Sequence, residues 1–159
     1  MSTPSRVYSV DTSALIDGLE RYYPEEAFPA LWDRVDGLID EGRFLLSEEV
    51  WEEIKSKDAV AKAWCEDRQD RLVVPTDSGV ASAVQEILVD HERLVMNMKG
   101  RNRADPFVIA LAQLKGAVVL TGEGSDGTAN RPKIPYICQE IGLPCCRFLE
   151  MIRLEGWRF

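Results

Sequence analysis

Two acidic residues follow apolar runs that predict buried strands, which places both where a folded α/β protein does chemistry. Asp11 comes directly after residues 6–10, and Glu123 lies three residues past the end of residues 117–120. The carboxyl ends of parallel strands meet at one edge of a sheet, and α/β proteins bind their ligands there. We therefore expect the carboxylates of Asp11 and Glu123 to lie near each other at that edge.

Two further acids lie on predicted helices beside apolar faces. Asp105 is in the first turn of a helix over residues 104–115, and Glu53 flanks the buried face of a helix that follows a strand at residues 44–46. Asp126 is a candidate fifth acid in the loop after Glu123. The helix of Glu53 also carries its alternatives: Glu48, Glu49 and Glu52.

A cluster of these carboxylates would suit hard divalent cations. Carboxylate oxygens are preferred ligands of Mg²⁺ and Mn²⁺. Two such ions about 3.5–4 Å apart can activate a water and stabilise the leaving oxygen of a phosphodiester. Without metal, four clustered carboxylates would repel one another, and some would hold protons. The chain has one histidine, His91, which excludes a nuclease that depends on two.

Each acid taken alone also has a structural explanation. Asp11 is placed to be only the N-cap of the following helix. Asp105 is placed to be only a first-turn acid that the helix dipole favours. Glu53 alone reads as a solvated helix residue, and Glu123 alone as a loop residue. The hypothesis of a metal site therefore rests on the pattern of the four acids together.

Short apolar runs alternate with helical patterns along the chain. This predicts an α/β fold in one domain over residues 1–159, with a central parallel sheet flanked by helices on both faces. The predicted strands cover residues 6–10, 44–46, 72–74, 117–120 and 143–148. Helices are expected over residues 26–41 and from Asp77 to about residue 97, and Ser47, Asp58 and Asp77 are expected to cap helices.

The balance of charge argues against a broad nucleic-acid-binding face. There are 27 Asp and Glu residues against 19 Lys and Arg residues, for a net charge of −8, whereas such faces are basic. Either the protein does not bind nucleic acid, or it binds it locally, through metal ions and a small basic patch. Three residues before Asp105 are candidate phosphate contacts to RNA, with a solvated loop as the alternative: Lys99, Arg101 and Arg103.

No signal for a membrane or for export is visible. The longest wholly apolar stretch, residues 107–112, is far shorter than the roughly 20 residues needed to cross a bilayer. The N-terminus does not look like a signal peptide. We therefore expect a cytoplasmic protein with no membrane partner, and we expect its four cysteines to be reduced thiols.

Four motifs together resemble the PIN-domain superfamily of metal-dependent nucleases. They read VDTSALI at residues 10–16, VWEEI at 50–54, RADPFVIALA at 103–112 and VLTGE at 119–123. The tail is similar to an uncharacterised PIN-like branch, whose members are presumed toxins encoded beside an antitoxin. Its motifs are KIPYIC at residues 133–138, LPCC at 143–146 and LEGWRF at 154–159.

The resemblance implies a PIN-like three-layer α/β/α fold and RNA cleavage that depends on one or two Mg²⁺ or Mn²⁺ ions, as in VapC-type toxins. The implied ligands are Asp11, Glu53, Asp105 and Glu123. Glu123 replaces the usual Asp, so Asp126 is an alternative fourth ligand or a fifth one. The residues implied to orient the acids or waters are Thr12, Ser13 and Thr121.

The same resemblance implies that the partners are an RNA substrate and a cognate antitoxin protein. Many PIN toxins dimerise, so a homodimer stays open beside a monomer. Two other functions are alternatives. A haloacid-dehalogenase-type phosphatase also begins with a strand and Asp, although it needs a second Asp where this chain has Ser13. The other is a non-catalytic PIN-like module that binds a protein.

Overall fold

Five parallel strands form the sheet at the centre of the molecule. The computed structural model describes residues 5–90, 104–123 and 133–159. Within these residues the strands are β1 (Tyr8–Val10), β2 (Phe44–Ser47), β3 (Val73–Val74), β4 (Val118–Leu120) and β5 (Cys145–Cys146). Their order across the sheet is β3-β2-β1-β4-β5, and every neighbouring pair is parallel.

Nine α-helices and one π-helix accompany these strands in the described part of the chain. They are α1 (Thr12–Ile16), the π-helix Asp17–Tyr22 that continues it, α2 (Pro29–Asp40), α3 (Glu48–Lys57), α4 (Ala59–Glu66), α5 (Gln69–Leu72), α6 (Ser78–Asp90), α7 (Asp105–Lys115), α8 (Ile134–Ile141) and α9 (Phe148–Glu155). None of the helices in the described ranges combines the length and the apolar character that a membrane span requires.

Two neighbouring residues of β1 show that helices cover both faces of the sheet. Ser9 Oγ donates a hydrogen bond to the carbonyl oxygen of Val108 in α7 at 2.8 Å. Tyr8 Oη donates to Glu155 Oε2 in α9 at 2.6 Å. Successive side chains of a strand point to opposite faces, so α7 and α9 lie on opposite faces of the sheet. The predicted three-layer α/β/α architecture around a parallel sheet is confirmed.

Local capping sets several of the helix boundaries. The predicted caps are confirmed: the side chains of Ser47, Asp58 and Asp77 each accept a hydrogen bond from the backbone N–H three residues on. The helix expected over residues 26–41 begins at Pro29, a residue suited to the first helical position. The helix from Asp77 is described as far as Asp90, and its predicted remainder lies outside the described residues.

The strands keep to the predicted places with different limits. β1 and β4 begin later than predicted, at Tyr8 and Val118, and β2 includes Ser47. The third strand loses Leu72, because this residue ends α5. The last strand is Cys145–Cys146 rather than residues 143–148. The sequence predicted that Arg147 lies inside the last strand. Because β5 ends at Cys146, Arg147 instead follows the strand directly.

The strand order reverses beside β1. The chain places β2 and then β3 on one side of β1, and later places β4 and β5 on the other side. In open parallel sheets, ligands bind in the crevice outside the carboxyl ends of the strands where the order reverses. The residues that follow β1 and β4 therefore border the crevice that this topology creates.

The last helix is anchored to the opposite, amino-terminal edge of the sheet by Glu155. Its carboxylate accepts hydrogen bonds from Tyr8 Oη and from Arg43 Nη2, the latter at 2.7 Å, and 8% of its side chain is exposed. Tyr8 begins β1 and Arg43 immediately precedes β2. The C-terminal end of α9 is thereby fixed at that edge, so its N-terminal end lies toward the carboxyl edge.

We expect Glu155→Ala to destabilise the protein by about 2–3 kcal/mol, because it leaves a largely buried guanidinium and a tyrosine hydroxyl without their shared acceptor. Urea unfolding followed by circular dichroism measures this. Glu66→Ala is the control, because Glu66 pairs with Lys62 at 3.8 Å on the surface, a kind of contact typically worth under about 1 kcal/mol. Equal midpoints for the two variants would show that Glu155 is no anchor.

Candidate functional site

The register of the sheet places three residues side by side at its carboxyl edge. Val10 pairs with Leu120, and Leu120 pairs with Cys146. The next residue on each strand is Asp11, Thr121 and Arg147, respectively. The backbone pairing extends to this row, because the N–H of Asp11 donates to Leu120 O at 2.8 Å and the N–H of Thr121 donates to Cys146 O at 3.0 Å.

Two neutral hydroxyl groups hold the Asp11 carboxylate. Ser13 Oγ donates to Asp11 Oδ2 at 2.6 Å, and Thr121 Oγ1 donates to the same oxygen at 3.0 Å. Each hydroxyl also accepts a backbone N–H, Ser13 from Gly122 at 2.9 Å and Thr121 from Glu123 at 3.1 Å. Because these N–H groups occupy acceptor positions of the hydroxyls, the hydroxyl hydrogens are left to point at Asp11.

The explanation of Asp11 as a helix cap is wrong. Asp11 stands at the N-cap position of α1, but its side chain makes no capping hydrogen bond. The carboxylate is 4% exposed. Burial and the negative charge of Glu53 raise its pKa, while the hydrogen bonds from Ser13, Thr121 and the backbone of Thr12 lower it. The net direction is upward, since burial is the largest of these effects.

The charges of the three other acids all raise the pKa of Asp105. It is 5% exposed in the first turn of α7. Burial, followed by the charges of Asp11, Glu123 and Glu53, raises the pKa of Asp105 from 3.8 to about 9, against a smaller lowering by Lys57. Asp105 therefore lies within electrostatic reach of the three other acids that the sequence singled out, and the four come from positions up to 112 residues apart (11 and 123).

Glu53 is the glutamate of α3 that faces this cluster. Its charge raises the pKa of both Asp11 and Asp105, and its Oε1 pairs with Lys57 Nζ at 3.2 Å. Two of its alternatives are engaged elsewhere: Glu48 accepts the N–H of Thr76 at 2.8 Å, and Glu52 pairs with Lys55 at 2.8 Å. Glu49, the third alternative, is partly exposed.

Glu123 is hydrogen-bonded to the start of α8. Its Oε2 accepts the backbone N–H of Ile134 at 2.8 Å. Burial and the charge of Asp11 raise the pKa of Glu123, whereas the Ile134 hydrogen bond and the charge of Lys133 lower it. The longer side chain of Glu therefore spans from the end of β4 to the next helix while it stays close enough to Asp11 to interact with it.

Several predicted site residues fall elsewhere. Asp126, Lys99, Arg101 and Arg103 lie outside the described residues, so their predicted roles stay predictions. Thr12 differs from its expected orienting role, because its hydroxyl is buried and has no hydrogen-bond partner within the described residues. Ser13 and Thr121, in contrast, contact Asp11 as expected.

Sequence reasoning missed Lys57 and Gly122. Lys57 brings a positive charge next to Glu53 and Asp105, and its spacing of four residues from Glu53 on a predicted helix was the available signal. Gly122 packs so closely against Asp17 and Ser13 that a Cβ built there would collide with the Asp17 carboxylate and lie 3.1 Å from the Ser13 carbonyl. Only glycine therefore allows this approach without a shift of Asp17.

The donor set fits a divalent cation. The four acids offer hard oxygen ligands, and the Asp105 carboxylate is buried with no hydrogen bond to another described residue. A cation would relieve the repulsion that raises the pKa of Asp105. Among the described residues, no group of three or more His, Cys, Asp or Glu side chains is already arranged as a cation site.

The fold and site define an α/β protein with buried acids at the reversal point of a parallel sheet. The chain belongs to the family described as a domain of unknown function, DUF4411, whose family model matches residues 8–159. A comparison with curated proteins finds no match.

We expect Asp105→Asn to stabilise the metal-free protein at neutral and alkaline pH. The folded state holds the Asp105 proton more tightly than the unfolded state, so this group costs stability as pH rises from about 4 to about 9. The variant should melt several degrees higher at pH 9 in EDTA, and the difference should shrink toward pH 4. Thermal unfolding across this range measures both effects.

The control is Asp70→Asn, because Asp70 is exposed on α5 and surface changes of this kind typically stay within about 0.5 kcal/mol. A lower melting temperature for Asp105→Asn at pH 9 would show that the Asp105 carboxylate stabilises the fold, contrary to the repulsion described here.

Proposed function

We propose that the protein is an Mg²⁺- or Mn²⁺-dependent endoribonuclease. The observation that carries the proposal is the convergence of Asp11, Glu53, Asp105 and Glu123 at the reversal point of the sheet, with Asp11 and Asp105 almost fully buried. A structural salt-bridge network would supply cations to match buried acids. Here Lys57 acts on Asp105 and Lys133 acts on Glu123, and the pKa of each of these two acids is nevertheless raised.

The acids have distinct parts in this proposal. Asp11 is fixed by two hydroxyls that leave its charge in place, so it would present a preorganised ligand. Asp105 and Glu53 approach from α7 and α3, and Glu123 from the end of β4. A divalent cation held by these carboxylates would activate water and neutralise charge on the phosphodiester.

RNA is proposed as the substrate because the motifs of this chain resemble those of PIN-domain nucleases. The same resemblance supports the role of a toxin restrained by a cognate antitoxin in the cytoplasm. The net charge of −8 suits a basic protein partner, because opposite charges favour encounter.

If the protein is a toxin, its expression without an antitoxin should arrest growth, and expression of Asp11→Asn should not.

We expect Asp11→Asn and Asp105→Asn each to lower Mn²⁺-dependent cleavage of RNA by at least about a hundredfold, because each removes a carboxylate ligand from a site that needs its full charge. Calorimetric titration of Mn²⁺ should show binding to the wild-type protein and none to the double variant. Cleavage is measured with a fluorophore-labelled single-stranded RNA and rigorously purified proteins.

Asp70→Asn is again the matched control and should cleave like the wild type. Unchanged cleavage by Asp11→Asn and Asp105→Asn would assign the activity to a contaminant. Absence of Mn²⁺ binding by the wild type, with RNA present, would contradict the proposal and favour a non-catalytic protein-binding module.

Two adjacent glutamates of α3 allow a sharper comparison. Glu53→Gln should weaken Mn²⁺ binding about tenfold or more, because Glu53 faces the buried acids. Glu52→Gln should leave binding unchanged, because Glu52 pairs with Lys55 on the surface. Both substitutions remove one charge from the same turn and one i,i+3 or i,i+4 ion pair. Titration of Mn²⁺ by calorimetry measures the difference, and equal affinities would exclude Glu53 as a ligand.

A further inference from the structure

A pocket beside the acids has no role in the function proposed above. It has a volume of about 480 Å³ and borders Gly122 at the carboxyl edge of the sheet. Its wall includes the aromatic side chains of Tyr22 and Phe148 and the cations Arg21 and Arg147. The volume lies in the range of about 300–1,000 Å³ that is typical of small-molecule sites.

Arg147 is the uncompensated cation of this pocket. Its side chain is exposed and forms no ion pair with the described residues. Arg21 differs, because it pairs with Asp17 at 3.4 Å. Of the two acids in the wall, Asp17 is engaged by Arg21, and Glu150 accepts the backbone N–H of Arg147 at 3.2 Å. An exposed guanidinium that has no ion-pair partner among the described residues can bind a phosphate through two parallel hydrogen bonds.

Arg147 also borders the acids themselves. It is the neighbour of Thr121 in the row at the carboxyl edge, and Thr121 is hydrogen-bonded to Asp11. It lines a second cavity of about 330 Å³ together with Thr121 and Glu123. A phosphate on Arg147 would therefore lie beside the acids without occupying their position.

The aromatic wall offers a face for a planar ring. Tyr22 is 60% exposed, and its ring centroid lies 6.3 Å from that of Tyr23. Tyr23 and Phe148 also line the pocket, with their ring centroids 5.4 Å apart, so the three rings pack together along the wall. Bases of single-stranded nucleic acids stack on such aromatic side chains, with a contribution of about 1–3 kcal/mol per base.

We propose that this pocket binds one nucleotide of a single-stranded RNA substrate, with its phosphate on Arg147 and its base against Tyr22, while the adjacent phosphodiester lies at the acids. The proposal rests on the proposed function for the identity of the substrate. It predicts a preference for unpaired RNA, because a base inside a duplex is stacked on both faces and cannot also stack on Tyr22.

The test measures binding rather than cleavage. Fluorescence anisotropy with a labelled single-stranded RNA in EDTA reports the affinity of the full chain. Arg147→Glu should weaken binding at least tenfold and lower the slope of log affinity against log salt by about 1, as expected for a lost phosphate contact. Tyr22→Ala should weaken binding about tenfold for the single strand and leave binding of a duplex of the same sequence unchanged.

Arg158→Glu is the matched control for Arg147→Glu. It makes the same change of charge at an exposed arginine, three residues beyond Glu155 and thus at the opposite edge of the sheet. It should bind RNA like the wild type. Arg147→Gln, which adds no negative charge, should lose affinity in the same direction, and circular dichroism checks that each variant is folded.

Three results would overturn the inference: no RNA binding by the wild type, equal affinities of Arg147→Glu and Arg158→Glu, or no effect of Tyr22→Ala on the single strand. Its failure is distinguishable from that of the proposed function. Binding that depends on Arg147 and Tyr22 without Mn²⁺-dependent cleavage contradicts only the nuclease. Cleavage that depends on Asp11, with binding insensitive to Arg147 and Tyr22, contradicts only the pocket.

Discussion

Repulsion between buried carboxylates is the constraint on which the arrangement of this molecule depends. Asp11 and Asp105 are almost fully buried, and each lies in the field of further acids. Such a group works against folding, because the interior solvates charge poorly and like charges add to the cost. The rest of the fold must therefore hold the acids in place. The buried strands β1 and β4 and the apolar face of α7 do so from both sides.

The way in which Asp11 is held distinguishes this site from a structural ion pair. A lysine or arginine could fix the carboxylate and cancel its charge in one contact. The protein uses Ser13 and Thr121 instead, which fix Oδ2 and leave the negative charge uncancelled. Elsewhere the chain does use arginine for this purpose, as in the pairing of Arg43 with Glu155 at the opposite edge. At the carboxyl edge of the sheet the charge of Asp11 is thus left uncancelled, whereas at the amino-terminal edge Arg43 neutralises the charge of Glu155.

Local sequence patterns predict the fold and the four acids because both follow from strand ends and helix faces. The strand before Asp11 and the strand before Thr121 are apolar runs that can be recognised without a structure. The choice of Glu53 over Glu48 is harder, because it depends on Thr76, whose N–H engages Glu48 from a distant segment.

Other features could not be read from neighbouring residues at all. The sequence analysis placed Arg147 inside a predicted strand. The length of β5 is set by its pairing with β4 rather than by its own apolar run, so the sequence does not predict that the strand ends before Arg147. Thr12 and Ser13 are equally suited by type to orient an acid. The turn of α1 brings Ser13 back to Asp11 and leaves the Thr12 hydroxyl without a partner among the described residues.

The acids come from four well-separated segments, and this has a consequence during synthesis of the chain. A ribosome that has released residues 1–100 has made Asp11 and Glu53 but neither Asp105 nor β4. β1, the central strand, then lacks one of its two neighbours. The cluster can assemble only after Glu123 has emerged from the ribosome. A nascent chain that ends before Glu123 therefore lacks the complete set of four acids.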